Sequence, residues 1–128
     1  MADRKRAYQT GIDAEDEAAR FLQAQGFDEI ARRAKMPGGE IDLIVEDAQT
    51  LIFVEVKARA KLTDGVEAVS GRQQGRIRAG LRAWLAKHDS QGERCSTKSV
   101  RCDVVVVAPG HDPLHIPNAF PAADESGF

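Results

Sequence analysis

A single mixed α/β domain in the order α-β-β-β-α-β is predicted by three features of the chain. Apolar residues recur at helical spacing through 7–25 and again through 66–88, they alternate at strand spacing through 39–59, and Val104-Val105-Val106-Val107 forms an unbroken apolar run. Such a run suits a strand buried on both faces. The closing strand–helix–strand unit is expected to cross over right-handed and lay the last strand parallel to its predecessor. The expected result is a mixed sheet flanked by helices.

The first helix, 7–25, should end at Gly26, a natural residue for the left-handed turn after a helix. Its apolar stripe is Ile12, Ala18, Ala19 and Leu22, with Phe21 beside it. Glu15 falls on that stripe, whereas Asp16, Glu17 and Arg20 lie off it. A carboxylate on a core-facing stripe is costly unless it is paired or bound to metal. A first strand follows at 27–35, with imperfect alternation. Met36-Pro37-Gly38-Gly39 then forms a turn whose glycines let backbone or ligand approach Glu40 and Asp42 closely.

Residues 39–59 read as a hairpin with acids on its apolar strands. Ile41, Leu43 and Val45 share one face of the first strand, and Glu40, Asp42, Ile44 and Glu46 share the other. On the second strand Ile52, Val54 and Val56 oppose Phe53, Glu55, Lys57 and Arg59. A two-residue or a four-residue loop within 47–50 gives the same register, with Asp42 opposite Glu55 and Glu40 opposite Lys57. Facing residues have Cβ atoms roughly 5 Å apart, so two carboxylates would repel unless a cation sat between them. Mg²⁺ suits such a pair, since it is typically held by one or two carboxylates with water and phosphate oxygens.

Asp42 followed by Glu55-Val56-Lys57 fits the D…(D/E)-x-K signature of the PD-(D/E)XK, restriction-endonuclease-like core. A solvent-facing salt-bridge ladder is the competing reading. Ile44 and Phe53 oppose it, because they put the acids on a surface that wants burial.

Beyond Arg59, 60–65 is expected to loop. The helix through 66–88 carries Ile77, Leu81, Trp84 and Leu85 on one side, with a break near Gly71 or Gly75. Residues 89–99 are polar, the final strand covers 100–108, and loop and tail begin at Pro109, with Ile116 and Phe120 as anchors. The domain is expected to span 1–120, with a disordered tail at 121–128.

At 128 residues, 42% hydrophobic and 30% charged, the composition is that of one soluble domain with a core of its own. No apolar run is long enough for a membrane span and no signal region follows the N-terminus, so a cytoplasmic protein without membrane contact is expected. A net charge of −2 and a pI near 5.9 exclude a purely charge-driven nucleic-acid binder. Basic residues are nevertheless grouped, as in Arg32-Arg33 with Lys35, Lys57 with Arg59 and Lys61, and Arg72, Arg76, Arg78 and Arg82. With 5% aromatic residues, a base-stacking platform is not expected. Cys95, Cys102, His111 and His115 lack the usual zinc spacing and are read as unrelated.

Several longer motifs now stand together: A-E-x-x-A from Ala14, F-L-x-x-x-G-F from Phe21, G-E-I-D-L-I from Gly39 and F-V-E-V-K-x-R from Phe53. To these are added R-x-D-V-V from Arg101 and H-I-x-N-A-F from His115. In combination the sequence resembles the YraN-like family, bacterial proteins related to Holliday junction resolvases and other PD-(D/E)XK endonucleases. The resemblance implies the same fold, the same hairpin acids, and Glu15 as the helix-borne acid. The chain departs from the family where Arg33 replaces a frequent Asn and Gln73 a frequent Lys.

The expected activity is metal-dependent cleavage of DNA phosphodiesters, with branched or recombining DNA as the implied substrate. Asp42, Glu55 and the Val56 carbonyl would hold Mg²⁺ or Mn²⁺, and Glu15 would bind through water or a second ion. Lys57 would orient water or stabilise developing charge, and Glu40 would pair with Lys57. Arg59, Arg72, Arg76 and Arg82 are the candidates for backbone phosphates. DNA is the expected partner, and a homodimer is the assembly considered. The alternatives are a non-catalytic nucleic-acid- or protein-binding module on the same fold, and a structural zinc protein.

Overall fold

Gly26 closes the first helix as its sequence predicts. In the computed structural model, which describes residues 2–66, 69–90 and 98–123 and side chains in 13–64, 69–88 and 98–123, α1 spans Ala2–Ala24. It therefore starts five residues earlier than expected. Gly26 adopts φ +100°, its N–H donates to the Gln23 carbonyl (3.0 Å), and the Phe27 N–H donates to that of Leu22 (3.1 Å). These paired bonds are a Schellman closure. Of the predicted stripe Ala18, Ala19 and Leu22 are buried, joined by Ala14, and the side chain of Ile12 lies outside those described.

Five strands form one sheet in sequence order: β1 (Asp28–Met36), β2 (Gly39–Glu46), β3 (Thr50–Ala58), β4 (Ser99–Val107) and β5 (Leu114–Phe120). β1, β2 and β3 pair antiparallel, β3 and β4 pair parallel as predicted, and β5 returns antiparallel on β4. Asp47 sets the hairpin turn by accepting from the Gln49 and Thr50 N–H groups at 2.9 and 2.7 Å. Glu46 then pairs with Leu51.

Two elements depart from expectation, giving the order α-β-β-β-α-α-β-β. A short helix, α2 (Leu62–Val66), occupies part of the expected loop, and α3 (Gly71–Ser90) begins at the predicted glycine break. β5 replaces the expected loop beyond Pro109. Its Pro117 and Asn118 look like turn residues, but an edge strand tolerates a proline. Asn118 takes φ +51° where the β4–β5 register shifts. Ala122, in the predicted tail, packs against the core, and 124–128 lie outside the described residues.

Helices cover both faces of the sheet. On one, Ala14, Ala18, Ala19 and Leu22 of α1 pack on Leu43, Val45, Ile52, Val54, Val105 and Val107. On the other, Ile77, Leu81 and Trp84 of α3 pack on Ile41, Ile44, Phe53, Val104 and Val106. Phe53 and Trp84 meet edge to face at 5.7 Å between ring centroids. The glycines expected to admit backbone or ligand admit α3: a Cβ on Gly39 would lie 2.2 Å from the Arg76 carbonyl oxygen.

Strand alternation breaks on β1 and β2 at the same level, correcting the predicted faces. Ile41 packs with Ile44 on the α3 side, while Leu43 and Val45 face α1. On β1, Ala31 and Ala34 both pack on the α3 side. Between them Arg33 has φ +52°, a conformation rare for a residue with a side chain. The ladder pairs Arg32 with Leu43 and Ala34 with Ile41, which leaves Arg33 level with Asp42. Regular alternation would point Arg32 and Arg33 to opposite faces. Here both reach α1, where Arg32 pairs with Asp16 and Arg33 with Glu15.

Candidate functional site

The β2–β3 ladder runs from Glu46–Leu51 to Leu43–Val54 and stops there. Asp42 and Glu55, the next residues on each strand, are not backbone partners as the predicted register had them. Asp42 Oδ2 instead accepts the Val56 N–H at 2.9 Å, taking the place of a carbonyl from the opposite strand. Within a strand a residue's N–H and C=O point to the same side, so the Val56 carbonyl also looks toward β2. Two carboxylates thus stand near each other where the strands cease to pair, with the Val56 carbonyl on the same side of β3 as Asp42.

Electrostatics mark this place. Asp42 is pushed up to about 7, first by burial and then by the Glu55 charge, against the Val56 hydrogen bond that favours its ionised form. Glu15, on α1, adds a smaller repulsion. Glu55 accepts an ion pair from Lys57 Nζ at 3.2 Å, and the same ammonium reaches Gln73 Oε1 of α3 at 3.3 Å. Both side chains of the ion pair are largely buried.

Glu15 is buried as its place on the helix stripe predicts, but its partner is a cation of the chain itself. Arg33 Nε donates to Glu15 Oε1 at 2.6 Å. Arg33 and Gln73, which the pattern of acids did not single out as site residues, therefore belong to the cluster. The signal that draws attention to them is that the chain departs from the family pattern at both positions.

Other predicted residues lie apart. Glu40 is exposed and pairs in register with Lys35, not with Lys57. Arg59 is exposed and donates to the Ala58 carbonyl; Arg72, Arg76 and Arg82 are exposed along α3. Arg32 and Arg33 make no phosphate patch, since both are engaged with acids of α1. The zinc reading fails for the described part of its set: Cys102 is buried on the α3 side, and His115 packs edge to face with Phe21 of α1. Burial pushes the Cys102 thiol up to about 12, which leaves it inert. Cys95 lies outside the described residues.

Among the described residues no three His, Cys, Asp or Glu groups are gathered as a ready metal centre. What Asp42, Glu55 and the Val56 carbonyl offer is a small all-oxygen donor set, which fits a hard divalent cation that keeps several waters. A separate open cavity of about 460 Å³ lies between α1 and the ends of β3 and β4, lined by Asp13, Glu17, Arg59 and Pro109 among others. Glu15, Asp42, Glu55 and Lys57 are not among its lining residues, so this cavity is not the carboxylate cleft.

A second polar cluster joins β4 to β5. Asp103, with no exposed surface, accepts from Arg101 Nε and Nη2 (2.8 and 2.9 Å) and from the Asn118 N–H (2.9 Å). It also meets His115 Nε2 at 2.6 Å. Burial alone would raise its pKa, but His115, Arg101 and Asn118 together hold it below the usual carboxylate value. All four residues sit in the R-x-D-V-V and H-I-x-N-A-F motifs, and they fasten the edge strand.

Among the described residues, no helix is long and apolar enough to cross a membrane. Comparison with known proteins agrees with the motifs. The model of the family described as Uncharacterised protein family UPF0102 matches residues 14–107. A UPF0102 protein of Rhodopseudomonas palustris (strain HaA2) is 48% identical over 121 residues, covering 94% of this chain and 91% of the relative. A UPF0102 protein of Methylorubrum populi is 44% identical over 120 residues, covering 94% and 93%. One of Bradyrhizobium diazoefficiens is 41% identical over 121 residues, covering 94% and 88%. With the family model spanning most of the chain and relatives aligned nearly end to end, this protein belongs to the UPF0102, or YraN-like, family.

Proposed function

We propose that the chain is a metal-dependent phosphodiesterase acting on DNA, built on a PD-(D/E)XK core. One observation carries this reading: the Asp42 and Glu55 carboxylates repel one another where β2 and β3 stop pairing, with Asp42 on the Val56 N–H and Lys57 on Glu55. A purely structural hairpin gains nothing from two half-buried carboxylates that repel one another. Asp42, Glu55 and the Val56 carbonyl would hold Mg²⁺ or Mn²⁺, which at such a site polarises a phosphate and acidifies water.

The chain's own groups supply the rest. Lys57, positioned by Glu55 and Gln73, donates hydrogen bonds to an incoming water or to the charge growing on a scissile phosphate. Glu15, held by Arg33, contributes negative potential from α1. Exposed Arg59, Arg72, Arg76 and Arg82 contact the nucleic-acid backbone. Branched DNA is the substrate form that the family resemblance favours.

A second reading, a binding module that keeps the fold without catalysis, is favoured by the engagement of Glu15 with Arg33, which leaves two carboxylates for an ion. Incubation with Mn²⁺ and duplex, flap and four-way junction DNA, with Asp42→Ala as control, separates the two. Metal-dependent nicks absent from the control support the enzyme. Junction binding without cleavage supports the module.

A further inference from the structure

We infer that Arg33 is a built-in counter-cation that withholds Glu15 from metal and limits the cleft to a single divalent ion. The inference rests on the reading of Asp42 and Glu55 as the metal-holding pair.

The backbone is bent to bring this side chain in. Arg33 is one of two non-glycine residues with positive φ among the described residues, and it interrupts β1 level with Asp42. Without that interruption, alternation would direct Arg33 toward α3, away from Glu15. With it, the guanidinium Nε lies 2.6 Å from Glu15 Oε1, and Glu15 is 7% exposed. An arginine does not give up its proton, so this countercharge is permanent, whereas a metal comes and goes.

Charge balance gives the consequence. Glu55 and, more weakly, Glu15 repel Asp42, while Arg33 pairs with Glu15 and Lys57 with Glu55, so two fixed cations are matched to two of the acids and Asp42 is the remainder. One divalent ion turns that remainder slightly positive, which suits an approaching phosphate. A second ion beside Glu15 would have to sit next to the guanidinium and displace its hydrogen bond. Repulsion of that kind at close range in a partly buried site is large. Arg33 is thus a positioning residue for Glu15, and it sets the number of ions the cleft accepts.

Titration calorimetry of Mn²⁺ into the full chain tests this without reference to cleavage. The wild-type protein should bind one ion at the cleft. Arg33→Asn, chosen because Asn tolerates positive φ, should bind two. Arg33→Lys, which keeps the charge, should bind one, and Arg33→Asn combined with Glu15→Gln should return to one. A role in folding alone would move none of these stoichiometries.

Should Arg33→Asn fail to fold, Glu15→Gln alone decides. Its stoichiometry should stay at one and its affinity loss within the roughly 10–100-fold carried by outer-sphere partners. A greater loss would make Glu15 a direct ligand and overturn the inference. A wild-type stoichiometry of two, or an Arg33→Asn protein that binds one ion with unchanged affinity, would also overturn it while leaving the Asp42–Glu55 site standing. No Mn²⁺ binding by the wild-type chain would remove the metal reading and this inference together.

Discussion

Glu15 Oε1 accepts a 2.6 Å bond from Arg33, so neutralising that acid strands a guanidinium. On the sequence alone, a carboxylate on a buried helix stripe is expected to be a source of strain in the metal-free protein, relieved by Glu15→Gln. The observed partner reverses the sign. Hydrogen bonds to charged groups contribute about 1.5–3 kcal/mol, and the Arg33 side chain is 33% exposed, which lowers the loss. Glu15→Gln should therefore destabilise the metal-free protein by about 1–2 kcal/mol, read as a lower melting temperature without added metal.

Asp42 behaves in the opposite way. Its folded pKa of about 7 lies above its ordinary value of 3.8, so the folded state holds the proton more tightly. Stability from this group is greatest below pH 4 and is lost as pH rises toward 7. Asp42→Asn keeps an oxygen for the Val56 N–H while removing the charge. It should leave the metal-free protein unchanged near pH 4 and stabilise it above pH 7, by an amount on the order of 2–4 kcal/mol. Calorimetric melting at the two pH values checks both halves of the statement.

At the scale of elements, the nearness of the hairpin's two acids was legible because acids are rare on strands that otherwise carry Ile, Val and Phe. Its turn was legible from polar Asp47 to Thr50, and the pairing of Glu46 with Leu51 followed. What could not be read was the break in alternation at Arg33 and Asp42. That break depends on a backbone angle adopted to meet α1, and period-two reasoning has no term for a partner on another element. It carries Ile41 to the α3 side.

β5 was hidden for a similar reason. Pro117 and Asn118 favour a turn locally, and Asp103 of β4 supplies the contacts that make them strand. Asp103→Asn should loosen this edge and cost about 3 kcal/mol at neutral pH, the range for breaking a buried charged pair. Because the folded pKa of Asp103 is depressed, its contribution is present above about pH 4 and is lost as pH falls through the folded value. The gap between wild type and Asp103→Asn should accordingly close in acid, and amide exchange should show β5 opening first in the variant.

Glycines in α3 look like helix breakers along the chain, yet Gly80 lies against Ile41 and the Gly39 carbonyl, with a Cβ there 3.1 Å from Ile41 Cδ1. Gly39 is the stricter of the two. An added methyl would meet Arg76 backbone at 2.2 Å, and backbone cannot swing aside. Gly39→Ala should cost about 3 kcal/mol, at the upper end for overpacking, and should shift α3 off β2. Denaturant melts report the first effect. Weakened Mn²⁺ binding is not expected, since Asp42 and Glu55 lie on the sheet.

For the molecule as a whole, helices cover both faces of the sheet, and Asp42 and Glu55 stand near each other at the place where the β2–β3 ladder ends. α1 brings Glu15 to it, β1 brings Arg33, β2 and β3 bring Asp42, Glu55 and Lys57, and α3 brings Gln73. The acids of that set were legible, because chemistry demands particular residue types at particular spacings. Lys57 was legible too, from its spacing after Glu55, whereas Arg33 was not, because arginines abound in this chain and nothing local marks one as an internal partner.

Most follows from Asp42 and Glu55 sharing one divalent cation. Mn²⁺ titration calorimetry on the wild-type chain and Asp42→Asn, at a pH where Asp42 is ionised, tests it most directly. The wild-type chain should bind at a single site, and a folded Asp42→Asn protein should lose that binding. Equal Mn²⁺ affinity in both proteins would contradict it.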